Sequence, residues 1–227
     1  MCGRFTLTAD ISDVLNTFSV DEANYEYSPK YNIAPSQTIA VVADHDGRRV
    51  LEGYRWGLVP RWAKDIKIGF KMINARAETL DTKPAFRNLL ARNRVIIPAD
   101  GFFEWQKNQG KEKQPFRFQL ESKQIFGFAG LYDEWIDPEG NKLRSCTIIT
   151  TRPNELVQPV HDRMPVILDE DAVNIWLDRN VSSVDQVMNM LQPYPGKSMI
   201  VYPVSRSVGN VRNTDSSLIE EVPLNSK

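Results

Sequence analysis

The amino-acid sequence predicts one α+β domain with a mostly antiparallel β-sheet core and a few peripheral helices. Short segments rich in β-branched and aromatic residues are bounded by turn formers such as Asp46-Gly47 and Glu139-Gly140, which is typical of strands. These segments do not alternate regularly with helical ones, which argues against a doubly wound parallel sheet. With 227 residues we expect a single domain over residues 1–227, with a frayed tail after about residue 218.

Local patterns predict the individual elements. The predicted strands are Thr38–Val42, Val50–Tyr54, Arg94–Pro98, Phe116–Leu120, Ile125–Leu131, Ser145–Thr151 and Met199–Tyr202. Phe116–Leu120 alternates strictly between apolar and polar residues, which indicates one solvated face. The predicted helices are Ile11–Phe18 behind a cap at Asp10, Thr82–Leu90 with Pro84 in its first turn, Asp169–Arg179, and Ser183–Leu191 with a capping box at its start.

Composition and charge exclude several classes of protein. A hydrophobic fraction of 41% and a charged fraction of 25% are typical of a globular chain. The net charge of −1 means that a nucleic-acid site would need its basic residues clustered on one face. Two cysteines exclude a disulfide scaffold, and no apolar run approaches the ~18 residues of a membrane span. Without a secretion signal, we expect a cytoplasmic protein with no membrane partner.

The start of the chain, Met1–Arg4 (MCGR), is its most informative feature. The initiator methionine is normally removed when the second residue is small, so we expect Cys2 to begin the mature chain. Its α-amine and thiol, with ordinary pKa values of about 8 and about 8.5, would then lie on adjacent carbons. Such an amine condenses with an aldehyde, and the thiol closes a thiazolidine ring. The alternative is a small buried cysteine that follows Met1 by chance.

Two further residues are candidates for proton transfer. His161 is followed directly by an acidic and a basic residue, a cluster that can fix an imidazole with a pKa near neutrality, although a structural role is equally compatible. Glu104 lies between two aromatic residues that could desolvate it and raise its pKa, whereas strand alternation would point it to solvent. The two cysteines and two histidines lack the spacing of a zinc site, so we expect no metal and no cofactor.

Polar and aromatic residues elsewhere could hold a nucleic acid. Asn74 can orient a reacting group, and Arg76 offers a planar guanidinium for phosphate, although alone they are typical of an ordinary turn. Trp62 lies beside Arg61 in a predicted loop, and exposed aromatic residues beside arginine stack on the bases of single strands.

Taken together, these segments resemble the SRAP family, the SOS response-associated peptidase-like proteins that process abasic sites. The matching motifs follow in order along the chain: Met1–Phe5 (MCGRF), Tyr31–Pro35 (YNIAP), Trp56–Pro60 (WGLVP), Ile73–Glu78 (INARAE), Ala99–Trp105 (ADGFFEW), His161–Pro165 (HDRMP) and Val208–Asn210 (VGN). Seven motifs in this order make a coincidence very improbable.

The resemblance implies a β-rich α+β fold, a monomer, and a covalent crosslink to abasic sites in single-stranded DNA. By the same resemblance Cys2 is the nucleophile, Asn74 positions its amine or the opened sugar, and Glu104 is the acid–base carboxylate. His161 then assists ring opening of the sugar and reversal of the crosslink. The implied DNA contacts are phosphate clamps at Arg4 and Arg76, and a path lined by Asn32, Pro35, Trp62 and Arg163.

Two other functions are compatible with the same residues. A cysteine peptidase would use a Cys2 thiolate, His161 as the base and Glu104 as the orienting acid, and it would stay active with the α-amine of Cys2 blocked. A non-catalytic reader of modified DNA would keep its binding in a Cys2→Ala variant and form no covalent product.

Overall fold

The computed structural model describes residues 2–107, 113–181 and 183–224. Its strands are β1 Phe5–Leu7, β2 Glu22–Ala23, β3 Lys30–Ile33, β4 Thr38–His45, β5 Arg48–Trp56, β6 Asn74–Arg76, β7 Arg94–Ala99, β8 Gly101–Lys107, β9 Lys113–Leu120, β10 Phe126–Ile136, β11 Lys142–Thr151, β12 Met164–Pro165, β13 Ile167–Leu168 and β14 Met199–Pro203. Its α-helices are α1 Ile11–Thr17, α2 Glu170–Leu177 and α3 Val184–Asn189. Short 3₁₀ turns cover Ile66–Lys71, Ala77–Thr79, Gly196–Ser198, Arg206–Gly209 and Ser216–Ile219.

The strands form two mainly antiparallel sheets. The larger sheet has the order β12-β11-β10-β7-β4-β5-β2, with β6 on β11 and β13 on β10. The strands β5 and β11, which are separated in this order, also pair directly with each other in parallel. This additional pairing closes β4, β5, β11, β10 and β7 into a ring. The smaller sheet has the order β14-β9-β8-β1-β3 and is antiparallel throughout. The fold class expected from the sequence is thereby confirmed.

Aromatic side chains join the two sheets through one core. Phe5 of the smaller sheet packs against Trp56 and Phe128 of the larger one, with ring centroids 5.2 and 5.7 Å apart. Phe102 contacts Phe128 at 6.2 Å. Burying each such ring contributes roughly 1.5–3 kcal/mol, so the contacts hold β1 and β8 against the ring of strands.

All predicted strands overlap strands of the structure, and three of the four predicted helices are present. Ser183 caps α3 through its side chain, as expected, and Asp169 caps α2 in the same way. Asp10 occupies the N-cap of α1, but its side chain makes no capping hydrogen bond. The helix predicted over Thr82–Leu90 is wrong: this segment forms consecutive turns.

The i→i+4 backbone hydrogen bonds of this segment, such as Arg87 N–H to Lys83 and Leu90 N–H to Phe86, are not consecutive, so the chain makes separate turns and no continuous helix. The buried Arg94 side chain takes the carbonyl oxygens of Leu90 and Ala91 as acceptors, at 2.6 and 2.9 Å. Those carbonyls are therefore capped by a guanidinium rather than by a further helical turn. The apolar residues of the pattern, Phe86, Leu89 and Leu90, are still buried.

Two other expectations are corrected. The polar residues of β9, Arg117 and Gln119, are 5% and 6% exposed, because Tyr202 of β14 and Asp100 cover that face. The chain after Leu218 is held at least to Val222, whose N–H donates to the carbonyl of Pro203 at 3.0 Å.

Within the described residues, none of the helices is long and apolar enough to cross a membrane.

Candidate active site

Cys2 lies at the start of the smaller sheet, deep in the protein. The following strand, β1, is paired on one side with β3 and on the other with β8, and the N–H of Phe103 donates to the carbonyl of Arg4 at 2.9 Å. Cys2 is 0% exposed, and burial raises the pKa of its thiol far above the ordinary range. The negative charge of Glu104 raises the pKa further, so the thiol is neutral at neutral pH and close to that carboxylate.

Glu104 is on β8 and is only 2% exposed. Burial raises the pKa of its carboxyl group to about 7, so protonated and ionised forms coexist near neutral pH. The aromatic neighbours are not the cause that the sequence suggested. Phe103 lies on the opposite face of β8, in a cluster with Val204 and Val208, as strand alternation requires. The side of the sheet that Glu104 faces is itself covered, so the exposure that alternation predicted does not occur.

His161 approaches Glu104 from a separate segment. Its Nε2 lies 3.7 Å from Oε2 of Glu104, and its backbone N–H donates to the carbonyl of Val157 at 2.9 Å. The side chain of Gln106, also on β8, donates to the carbonyl of Pro159 at 3.1 Å and holds the segment before His161 against the strand. The histidine and the carboxylate expected from the sequence are therefore brought together.

Asn74 is the first residue of β6, which runs parallel to β11 with Asn74 opposite Ile148. Its side-chain N–H donates weakly to the carbonyl of Ile148 at 3.5 Å, while its Oδ1 is buried and accepts no hydrogen bond from any described residue. A buried acceptor without a donor costs about 1–3 kcal/mol. Asn74 thus presents an acceptor that an amine or a bound sugar hydroxyl could satisfy.

Arg163 connects the histidine segment to the strand of Asn74. Its guanidinium donates to the carbonyl of Thr150 at 2.6 Å and to both carboxylate oxygens of Glu78 at 2.6 and 2.9 Å. Thr150 is opposite Arg76 in the pairing of β11 with β6, and Arg76 is exposed. Arg76 and Arg163 therefore lie at the same end of β11.

Trp62 is held outward by its neighbours. Arg61 on one side donates to the buried Asp133 through its backbone and its guanidinium, at 2.9–3.1 Å. On the other side, the carbonyl of Ala63 accepts from the indole N–H of Trp135 at 2.7 Å. Trp62 itself is 59% exposed, as expected for a residue that stacks on bases.

Three further residues proposed for DNA differ in their surroundings. Pro35 is half-buried in the turn after β3. Asn32 is 3% exposed and its amide donates to the carbonyls of Val208, Asn210 and Asn213, so it holds the segment after β14 and is not on the surface. Arg4 donates to Oδ1 of Asn32 at 2.8 Å and to the carbonyl of Val208 at 2.6 Å, and lies 5.7 Å from the ring of Trp105.

The sequence reasoning missed two residues of this region. Phe70 is 60% exposed with the guanidinium of Arg55 at 5.8 Å from its ring, and a basic residue, Lys71, is adjacent to it in sequence as Arg61 is to Trp62. Glu78 had no local signal, because its partner Arg163 lies 85 residues away in sequence. In residues 2–107, 113–181 and 183–224 there is no group of three or more His, Cys, Asp or Glu side chains that could hold a metal ion.

Comparison with known proteins shows which proteins the chain is similar to. The chain is 49% identical to abasic site processing protein YoqW of Bacillus subtilis (strain 168), over 97% of this chain and 99% of the relative. It is 31% identical to abasic site processing protein YedK of Escherichia coli (strain K12), over 98% and 100%. A crystal structure of a protein from Bacteroides thetaiotaomicron superimposes with a TM-score of 0.89 at 25% identity, over 98% of this chain and all of that one. The family profile described as SOS response associated peptidase (SRAP) matches residues 1–211, and the chain therefore belongs to the SRAP family.

Proposed function

We propose that this chain captures the ring-opened aldehyde of abasic sites in single-stranded DNA as a covalent thiazolidine on Cys2, once Met1 has been removed. The observation that carries the proposal is the grouping of the buried Cys2 with Glu104, whose carboxyl group has a pKa of about 7, and with His161 at 3.7 Å from that carboxylate. The names of the relatives, which are abasic site processing proteins, support DNA processing of this kind.

The first step joins nitrogen to carbon. The free α-amine of Cys2 attacks the aldehyde carbon of the opened sugar, and the resulting carbinolamine loses one water to form an imine. A carboxyl group with a pKa of about 7 can donate the proton that the departing hydroxyl needs. The unsatisfied Oδ1 of Asn74 supports its role as the acceptor that orients the amine or a sugar hydroxyl.

The second step closes the ring. The thiol sulfur adds to the imine carbon, and the thiol proton passes to the nitrogen, with the Glu104 carboxylate as the relay. This step needs a base that takes up the thiol proton, because burial and Glu104 keep the pKa of the thiol high and the sulfur protonated until it reacts. The product retains no carbonyl group, so the acidic hydrogen beside it that drives strand scission is no longer activated. The adduct thereby shields the site.

DNA is proposed to lie across the end of β11 and over the loop after β5. Arg76 is exposed there and Arg163 is near it, and both have the planar guanidinium that binds phosphate. Trp62, 59% exposed, offers a ring on which a base can stack, and Pro35 is proposed to line the same path. These few contacts are compatible with a chain whose net charge is −1.

The experiment incubates the purified protein with a single-stranded oligonucleotide that carries one abasic site, followed by a denaturing gel. We expect a covalent band for the wild type, no band for Cys2→Ala, and an undiminished band for Cys146→Ala. Cys146 is the matched control because it is the other buried cysteine and lies within β11. Persistence of the band in Cys2→Ala, or no band with a wild type that lacks Met1, would refute the proposal.

A further inference from the structure

The guanidinium of Arg163 is fixed in place by an ion pair with Glu78. Its guanidinium donates to both oxygens of the Glu78 carboxylate, at 2.6 and 2.9 Å, and to the carbonyl of Thr150 at 2.6 Å. The Arg163 side chain is 13% exposed and that of Glu78 is 51% exposed. Two parallel charge-assisted hydrogen bonds fix the plane of a guanidinium as well as its position.

The backbone of Arg163 contacts the ring of His161. The N–H of Arg163 donates to Nδ1 of His161 at 3.0 Å. An amide N–H can only donate, so Nδ1 must offer a lone pair, and the proton of the neutral ring must then be on Nε2. Nε2 is the atom that lies 3.7 Å from Oε2 of Glu104.

Two acceptors favour the opposite arrangement, with a proton on Nδ1. Oδ1 of Asp162 is also 3.0 Å from Nδ1, and the carbonyl of Arg163 lies at the longer distance of 3.3 Å. The Asp162 side chain is 87% exposed, so water can satisfy it equally well, whereas the amide of Arg163 is fixed in place. The position of Arg163 therefore decides between the two forms of the imidazole.

We propose that Glu78, by holding Arg163, is a positioning residue that keeps neutral His161 in the form with its proton on Nε2, directed towards Glu104. The carboxylate oxygens of Glu78 accept from the Arg163 guanidinium, and the proposed effect on His161 passes through that contact. The role deepens the proposed function and rests on it, because the family resemblance assigns His161 to ring opening of the sugar and reversal of the crosslink.

The direct test is nuclear magnetic resonance of the protein with ¹⁵N-labelled histidine, recorded without DNA. The chain has two histidines, and His45→Gln assigns their ring signals. We expect neutral wild-type His161 to show a protonated Nε2 and an unprotonated Nδ1, and Glu78→Gln to move the population towards protonation at Nδ1. A wild type with Nδ1 protonated, or a Glu78→Gln variant with unchanged ring signals, would overturn the proposal.

A functional measurement separates positioning from folding. Glu78→Gln is expected to slow formation or reversal of the crosslink roughly tenfold, the scale of loss when a partner that orients a functional histidine is removed. Its affinity for undamaged single-stranded DNA should stay equal or increase, because the variant leaves Arg163 freer to meet phosphate. A merely structural role predicts that affinity falls together with the rate, and that result would count against positioning.

Two further variants complete the test. Glu139→Gln removes the same charge from the turn before β11, about 26 Å along the strand from Thr150 at ~3.3 Å per residue, and should change neither the ring signals nor the rate. Arg163→Lys keeps the charge but loses the two-pronged contact, and should shift the ring signals as Glu78→Gln does. An Arg163→Lys spectrum like that of the wild type would refute the proposal. Because the spectra need no DNA, this inference can fail or stand independently of crosslinking.

Discussion

At the scale of single residues, burial decides the chemistry of the site. The same desolvation that raises the pKa of the Cys2 thiol raises the pKa of Glu104 to about 7. A thiol with a raised pKa is a poor source of thiolate, so attack by the sulfur, in thiazolidine closure or in peptide cleavage, needs a base beside it. The raised pKa of Glu104, by contrast, suits a group that must both give and accept a proton near neutral pH.

The pKa of Glu104 predicts a pH-dependent stability. Its rise from 4.5 to about 7 means that the fold favours the protonated form. The stabilisation is therefore complete below about pH 4.5 and is lost as the pH rises through about 7. Relative to wild type, Glu104→Gln should gain up to about 3 kcal/mol of unfolding free energy between these two pH values.

Urea unfolding of both proteins at pH 5 and pH 8 measures this change, and titration of the other groups cancels in the difference. A difference between variant and wild type that does not change with pH would show that the Glu104 carboxyl group ionises normally.

At the scale of elements, the loop after β5 and the strand β1 are the parts that position the site. Gly57, at a φ of +124°, begins that loop, and a Cβ there would lie 2.7 Å from the carbonyl oxygen of Gly69. The two ends of the loop therefore approach closely, and Trp62 and Phe70 are displayed between and beside them. The carboxylate of Asp100 accepts hydrogen bonds from Thr6 in β1 and from Thr8 directly after it, and so fixes the position of β1.

Trp62→Ala should weaken binding to undamaged single-stranded DNA by about 1–3 kcal/mol, the value of one base stacked on an aromatic ring. Its stability should change by less than about 0.5 kcal/mol, because the side chain is 59% exposed. Fluorescence anisotropy measures the affinity, and Ile136→Ala, which removes a 57% exposed apolar side chain from β10, is the control. Equal affinity of the two variants would remove Trp62 from the DNA path.

Asp100→Asn should destabilise the fold by about 3–5 kcal/mol, because it breaks a buried ion pair and leaves Arg117 charged without its partner. Asp100 is 8% exposed and Arg117 5%, with 3.3 Å between their nearest charged atoms. Urea unfolding checks the prediction against Asp81→Asn, at an exposed position. A loss below about 1 kcal/mol would mean that the network does not hold β1.

The sequence predicts the long strands well because their signal is local. The strands β4, β5, β10 and β11 contain continuous apolar or β-branched runs. The strands β1, β3 and β6 were not predicted, because they are only three or four residues long and depend on partners far along the chain. The site residues differ in the same way. Cys2 and Glu104 could be predicted from the family resemblance, whereas the pairing of Arg163 with Glu78 is visible only in the folded structure.

At the scale of the whole molecule, a net charge of −1 limits how DNA can be held. The chain as a whole has no positive field to attract DNA, so we expect affinity to come from locally clustered basic residues and from stacking. Arg76 and Arg163 at one end of β11 are the phosphate contacts that we propose.

Two phosphate contacts predict a shallow salt dependence, with a slope of about −1.4 in a plot of log affinity against log salt concentration for single-stranded DNA. Arg76→Ala should weaken binding to all sequences alike and reduce the slope by about 0.7. The exposed Arg92 supplies the control Arg92→Ala. A wild-type slope several times steeper would indicate a much larger contact surface, and an unchanged affinity in Arg76→Ala would remove that residue from it.

Intact-mass and peptide mass spectrometry of the unreduced crosslink tests the thiazolidine mechanism most directly. We expect the mass of the Met1-free chain plus the oligonucleotide minus one water, with the adduct on the peptide that begins at Cys2. The bond should persist without borohydride, because a closed ring needs no reduction to survive. An adduct on a lysine, an adduct on a chain that still carries Met1, or one that appears only after reduction would contradict capture by the amine and thiol of Cys2.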